Sequence, residues 1–114
     1  MTSVFFQART DSLFQFLPWG GAGVISVVAN IVPEKMVKLC EATKSGDLAT
    51  ARKLHFEMAP LIRALFTETN PIPVKRAVEL IGLSSGTMRL PLAPLSEENS
   101  VKLENVLRRL GCIA

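Results

Sequence analysis

The side chains here that could carry covalent or proton-transfer chemistry are few: six lysines (Lys35, Lys38, Lys44, Lys53, Lys75, Lys102), one histidine (His55) and two cysteines (Cys40, Cys112), with no tyrosine. A lysine becomes a nucleophile in a desolvated pocket, where loss of hydration lowers its pKa and leaves a neutral amine. All six fall in segments of helical period, mostly at polar positions, so none is expected to be catalytic. A single histidine excludes a histidine-based metal cluster, and His55 reads as a helix-surface residue. Cys40 and Cys112 have neither CxxC nor metal-ligand spacing; they read as reduced thiols, and a cytoplasmic setting is expected. No metal site and no cofactor is expected. Asn70 and Lys75 stand in a distinctive "NPIPVK", but the simpler reading is structural: two prolines set the backbone entering a helix, and Asn70 caps or turns it.

The elements that position these groups can be read along the chain. Its 114 residues suit one domain with a real core, and nearly half are hydrophobic. The net charge of +3 is scattered, in pairs such as Lys75-Arg76 and Arg108-Arg109, and no basic stripe with interleaved aromatics points to nucleic acid. Between Asp11 and Glu34 no residue is charged, a length that nominally spans a bilayer. Pro18, Gly20, Gly21, Gly23 and Asn30 interrupt it, however, and no membrane segment is expected.

Residues 1–10 show no clear pattern, and "DSLFQFLPWGG" resembles a short helix or turn running into glycines. "GGAGVISVVAN", residues 20–30, then reads as one strand over 23–30, apolar on both faces. Pro33 and Glu34 suit the first turn of a helix with Met36, Cys40 and Thr43 on its stripe and Leu39 beside it. Gly46 ends it and Asp47 caps the next. That second helix places Leu48, Ala51, Leu54, Met58, Leu61 or Ile62, and Leu65 at helical spacing, with Pro60 expected to kink it. A third helix follows Pro71 and Pro73, with Val74, Ala77, Val78 and Ile81 inward and Gly82 as terminator. Ser96 caps a last helix, whose stripe is Leu103, Val106, Leu107 and Leu110 and which Gly111 stops. The fold class expected is therefore mostly α, one strand followed by four helices. The strand poses a problem, because its backbone groups need neighbours that no other segment offers.

Three stretches, "GGAGVISVVANIVPE", "FTETNPIPVKRAVELIGL" and "RLPLAPLSEEN", closely resemble the C-terminal part of the 4-hydroxy-tetrahydrodipicolinate synthase (dihydrodipicolinate synthase) family, from Gly20 to Ala114. The resemblance implies a (β/α)8 TIM barrel with added C-terminal helices, of which this chain is a C-terminal fragment. Residues 23–30 would be the eighth strand, with strands one and seven not supplied here. Three segments follow: a divergent or frayed 1–19, the strand and following helices over 20–66, and a helical appendage over 67–114. The family condenses pyruvate with aspartate semialdehyde in lysine/diaminopimelate biosynthesis, through a Schiff base on a barrel lysine and a tyrosine-based proton relay. Neither group is present, so the chain alone is expected to be inactive. One family pocket residue maps here: Ile25, whose main chain would face bound pyruvate; the plainer reading is a core β-branched residue. The expected partners are the missing N-terminal barrel portion or further copies of the chain. The other reading is a non-enzymatic helical oligomerisation module derived from the family.

Overall fold

The computed structural model describes residues 6–7, as backbone, and 19–114. The short helix or turn expected over 11–21 falls largely outside them, as does the frayed start expected over 1–10 apart from the backbone of 6–7. Two strands, β1 (Phe6–Gln7) and β2 (Gly23–Val24), pair in parallel with Phe6 opposite Gly23 and Gln7 opposite Val24. A parallel pair cannot be joined by a tight turn, and residues 8–22 supply the dozen or more residues such a crossover needs. The chain thus supplies one neighbour for its strand, which the sequence had not revealed.

The strand is also shorter than the expected 23–30. After Val24 the backbone finds partners locally instead of laterally. The Ala29 N–H donates to Ser26 Oγ at 3.2 Å, and the Asn30 N–H donates to the Val27 carbonyl, also at 3.2 Å. The Ile31 and Val32 N–H groups both reach the Val28 carbonyl at 3.0 Å. A short 3-10 turn over Val28–Asn30 results, with Val28 fully buried beneath it. The Ser26 hydroxyl, by accepting the Ala29 N–H, offers this β-branched run an alternative to a ladder.

Four helices follow: α1 (Pro33–Ser45), α2 (Leu48–Leu65), α3 (Ile72–Leu80) and α4 (Glu97–Arg109). The chain divides into two compact units, Met1–Ala59 and Pro60–Ala114, the division falling inside α2. In the first, α1 opens with Pro33 and ends at Gly46, whose φ of 80° is left-handed. It buries Met36, Leu39, Ala42 and Thr43, so Cys40, expected on the stripe, lies half-buried at its edge. The Thr43 hydroxyl donates to the Leu39 carbonyl at 2.8 Å, which satisfies a buried polar group. Asp47 caps α2 as expected: Thr50 N–H donates to its Oδ1 at 3.1 Å, and hydrogen bonding by Thr50 holds the carboxyl below its ordinary pKa. Leu48, expected inward, is exposed instead, because it sits in the first turn, ahead of the buried positions that begin at Ala51. Pro60 removes the donor to the Phe56 carbonyl, but both residues are exposed and α2 runs on without a break.

In the second unit Leu61, Ile62, Ala64 and Leu65 are buried on α2. Here α3 packs against α4; α3 buries Ile72, Pro73, Val74 and Ala77, and α4 buries Leu103 and Leu107. The residue at the N-cap of α3 is Pro71, not Asn70, so Asn70 does not cap the helix. Both α3 and α4 close with the same hydrogen-bonded pattern. Gly82 N–H reaches the Glu79 carbonyl at 3.0 Å and Leu83 N–H the Val78 carbonyl at 2.9 Å; Gly111 and Cys112 repeat this on Arg108 and Leu107. Gly82 has a φ of 80° and open space where a Cβ would stand. Gly82→Ala is therefore expected to cost about 1–2 kcal/mol through backbone strain alone, read as a lowered denaturation midpoint with unchanged helix content.

The start of α4 differs from expectation. Ser96 occupies the N-cap, but its hydroxyl makes no capping bond to the helix. It donates instead to Glu68 Oε1 at 2.6 Å, and the same oxygen accepts the Ser96 N–H at 3.2 Å and the Asn99 side-chain amide at 2.8 Å. The first turn is tied down by a carboxylate from the loop after α2, and a negative charge at a helix N-terminus also suits the dipole.

Candidate functional site

The candidate site is built where β2 ends. Gly23 and Val24 make the parallel pairing, and Ile25 is the first residue beyond the strand's C-terminal end. The Ser26 turn then carries the chain away from the sheet. Ile25 is 72% exposed, so the core reading of this residue does not hold. A cleft of about 270 Å³ lies at the end of β2, walled by Val24, Ser26 and Ala29 on one side and by Met36, Val37 and Cys40 of α1 on the other; Ile25 is not among its lining residues. Glu41 and Lys44 stand on its lining as well.

This cleft lacks an activated nucleophile. Burial pushes the Cys40 thiol up from its ordinary pKa, and nearby Lys44 only partly offsets that, so the protonated form is favoured. None of the six lysines is buried. Lys35 pairs with Glu57 at 2.6 Å, and Lys102 pairs with Glu98 one turn away on α4. Lys75 donates to the Thr87 carbonyl, fastening the following loop to α3. His55 is half-buried on α2, with the Phe56 ring edge-on at a centroid distance of 5.5 Å. Among the described residues no group of acidic, histidine or cysteine side chains could hold a metal ion. Among the same residues no helix is long and apolar enough to cross a membrane.

A larger cleft, about 680 Å³, lies in the second unit, lined in part by Arg76, Glu79, Thr87, Ser100 and Glu104. Its one cation is already engaged: Arg76 donates from Nε to Ser100 Oγ at 3.0 Å and from Nη1 to Glu79 at 2.6 Å. The Glu79 carboxylate in turn lies against Gly86, where a Cβ would meet Oε2 at 2.3 Å. These contacts tie the 83–88 loop to α3, leaving the β2 end as the better candidate site. The sequence had not signalled two parts of this layout, the Ser26 turn that frees Ile25 and the Glu68 bonds that fix α4.

A parallel strand pair, with a helix after the second strand and an exposed residue at that strand's C-terminal end, has the parts of a βα barrel, whose sites gather at that end. Comparison with known proteins makes the class specific. The family model of the Dihydrodipicolinate synthetase family matches residues 3–110, and the chain belongs to that family. It is 68% identical over 92 residues to the 4-hydroxy-tetrahydrodipicolinate synthase of Methanosarcina mazei, a match covering 81% of this chain and 32% of that protein. With the Nitratidesulfovibrio vulgaris (strain DP4) synthase the identity is 51% over 111 residues, 95% of this chain and 38% of the relative. Among solved structures, dihydrodipicolinate synthase from Thermotoga maritima superposes with a TM-score of 0.94 at 45% identity, over 96% of this chain and 37% of the other. The chloride-inhibited enzyme from Acinetobacter baumannii complexed with pyruvate gives 0.92 at 36% identity, over 96% and 38%. The chain thus corresponds to a C-terminal part of a TIM-barrel family and spans about a third of the length of the curated relatives it matches.

Proposed function

We propose that this chain supplies the closing strands and C-terminal helices of a pyruvate-dependent Schiff-base lyase that condenses pyruvate with aspartate semialdehyde in lysine/diaminopimelate biosynthesis in the cytoplasm. In this reading β1 and β2 are the seventh and eighth barrel strands, and Ile25 lines the pyruvate pocket through its main chain. The observation that carries the reading is the position of Ile25, exposed at the C-terminal end of a parallel strand, in a chain whose family includes a pyruvate-bound relative.

The division of labour follows from composition. An amine condenses with the pyruvate ketone, losing water to form a C=N bond, and needs a desolvated lysine and a proton relay. With no tyrosine and no buried lysine, this chain supplies neither. Its part is to complete the wall of the pocket and exclude water, and by itself it is inert.

The test is sedimentation and circular dichroism of the 114-residue chain, alone and co-expressed with the first two-thirds of the Methanosarcina mazei synthase, followed by pyruvate and borohydride. The expected result is no reduced adduct on the chain alone and an adduct on the partner's polypeptide in a complex of defined stoichiometry. A discrete folded oligomer that ignores the partner would overturn the reading in favour of the non-enzymatic helical module.

A further inference from the structure

We propose that Ser26 and Asn30 are positioning residues for the pyruvate pocket: their side chains hold the turn after β2, and that turn sets the direction of the Ile25 main chain. The inference rests on the function proposed above and names what keeps that site in place.

The composition of the stretch comes first. From Val24 to Val32 seven of nine residues are apolar, and Ser26 and Asn30 are the two with polar side chains. Both bond to the backbone of the turn they flank. Ser26 Oγ accepts the Ala29 N–H at 3.2 Å, and Asn30 Nδ2 donates to the Val27 carbonyl at 3.0 Å. That carbonyl also accepts the Asn30 N–H, at 3.2 Å. Short polar side chains that bond to backbone groups a few residues away stabilise turns locally. The turn is anchored below and beyond as well. Val28 is fully buried, and the Val32 carbonyl accepts the Met36 N–H at 3.2 Å in the first turn of α1.

The link to Ile25 is covalent. Its carbonyl and the Ser26 N–H belong to one planar peptide unit, so the dihedrals that Ser26 adopts fix how that carbonyl is aimed relative to the buried turn. Ile25 itself is 72% exposed, and its side chain has little packing with which to hold the backbone still. The two side-chain bonds supply what packing does not. A site that binds through main-chain groups depends on such support, because small displacements of those groups weaken every contact they make. A purely structural turn would behave differently: its loss would lower stability and leave pyruvate binding alone.

The test uses the full chain co-expressed with the first two-thirds of the Methanosarcina mazei synthase, comparing wild type, Ser26→Ala, Ser26→Thr, Asn30→Ala and Ser100→Ala. Borohydride trapping is followed against pyruvate concentration, which separates half-saturation from the maximal trapping rate. Ser26→Ala and Asn30→Ala are each expected to raise the half-saturating concentration about three- to tenfold, the usual worth of one hydrogen bond. Their maximal rates should stay within about twofold of wild type, as when binding is weakened and the chemical step is not. Ser26→Thr keeps the hydroxyl and should restore half-saturation to the wild-type value. Ser100→Ala loses the bond from Arg76 Nε in the second unit, 3.0 Å in length, and should leave half-saturation unchanged.

Unchanged half-saturation in one alanine variant would strike that residue from the proposal, and in both would overturn it while sparing the proposed function. A rise in Ser26→Thr as large as in Ser26→Ala would also overturn the role of the hydroxyl, since the effect would then be one of packing. Loss of the complex in Ser26→Ala would overturn it too, by showing that the hydroxyl supports the fold and not the site. No adduct in the wild-type complex would overturn the proposed function and this inference together.

Discussion

Leu107→Ala should lower the thermal midpoint of the second unit by about 10 °C or more. Leu107 is fully buried on α4, as is Leu103 one turn earlier, and α4 packs on α3. Truncating a buried leucine costs about 2–5 kcal/mol, the lost transfer energy plus the cavity left behind. Domains of this size hold only about 5–15 kcal/mol in total, and each kcal/mol moves the midpoint of a small domain by about 4–8 °C. Val101→Ala, on the same helix but exposed, should stay within about 0.5 kcal/mol of wild type. Calorimetry, or circular dichroism followed against temperature, separates the two. Equal midpoints would mean that the α3–α4 contact contributes little to the fold.

Glu68→Gln should make the fold less sensitive to acid. Bonds from Ser96 and Asn99 hold the Glu68 carboxyl below the usual carboxylate range, because they favour the charged form. A carboxyl depressed in the folded state stabilises fully above its unfolded pKa, about 4.3 for glutamate, and loses that contribution as the pH falls through the lower folded value. Wild type should therefore lose thermal stability on acidification below about pH 4.3, whereas Glu68→Gln starts lower at neutral pH and falls less steeply. Asp47 and Glu98 are depressed in the same direction, by Thr50 and Lys102 respectively, so some acid sensitivity remains in the variant. Parallel melting curves for the two proteins across this range would show that the Glu68 cluster is not the acid-sensitive element.

Helices were legible in the sequence because their ends are written in local chemistry: Pro33, Gly46, Asp47, Gly82 and Gly111 all act where their types suggest. The strand was not. Five of the six residues from Val24 to Ala29 are apolar and four are β-branched, which reads as a ladder, yet the pairing stops at Val24 and the Ser26 hydroxyl accepts the Ala29 N–H in the turn that follows. β1 was missed because two residues carry no period. The tie between Glu68 and Ser96 spans 28 positions, beyond the reach of any capping rule based on adjacent residues. At the site the limits were similar. Ile25 was singled out by resemblance, but its exposure depends on where the strand stops, and that depends on the Ser26 turn.

Trp19 stands four residues before β2 and is 89% exposed. It is the only tryptophan, and the chain has no tyrosine. Ultraviolet emission from this polypeptide is consequently the signal of one indole, red-shifted and open to aqueous quenchers. Each exchange of water for protein around that ring will register as a blue shift and a loss of quenching, without a label and without mutation. The segment thus carries its own optical gauge beside the strand on which barrel closure would depend.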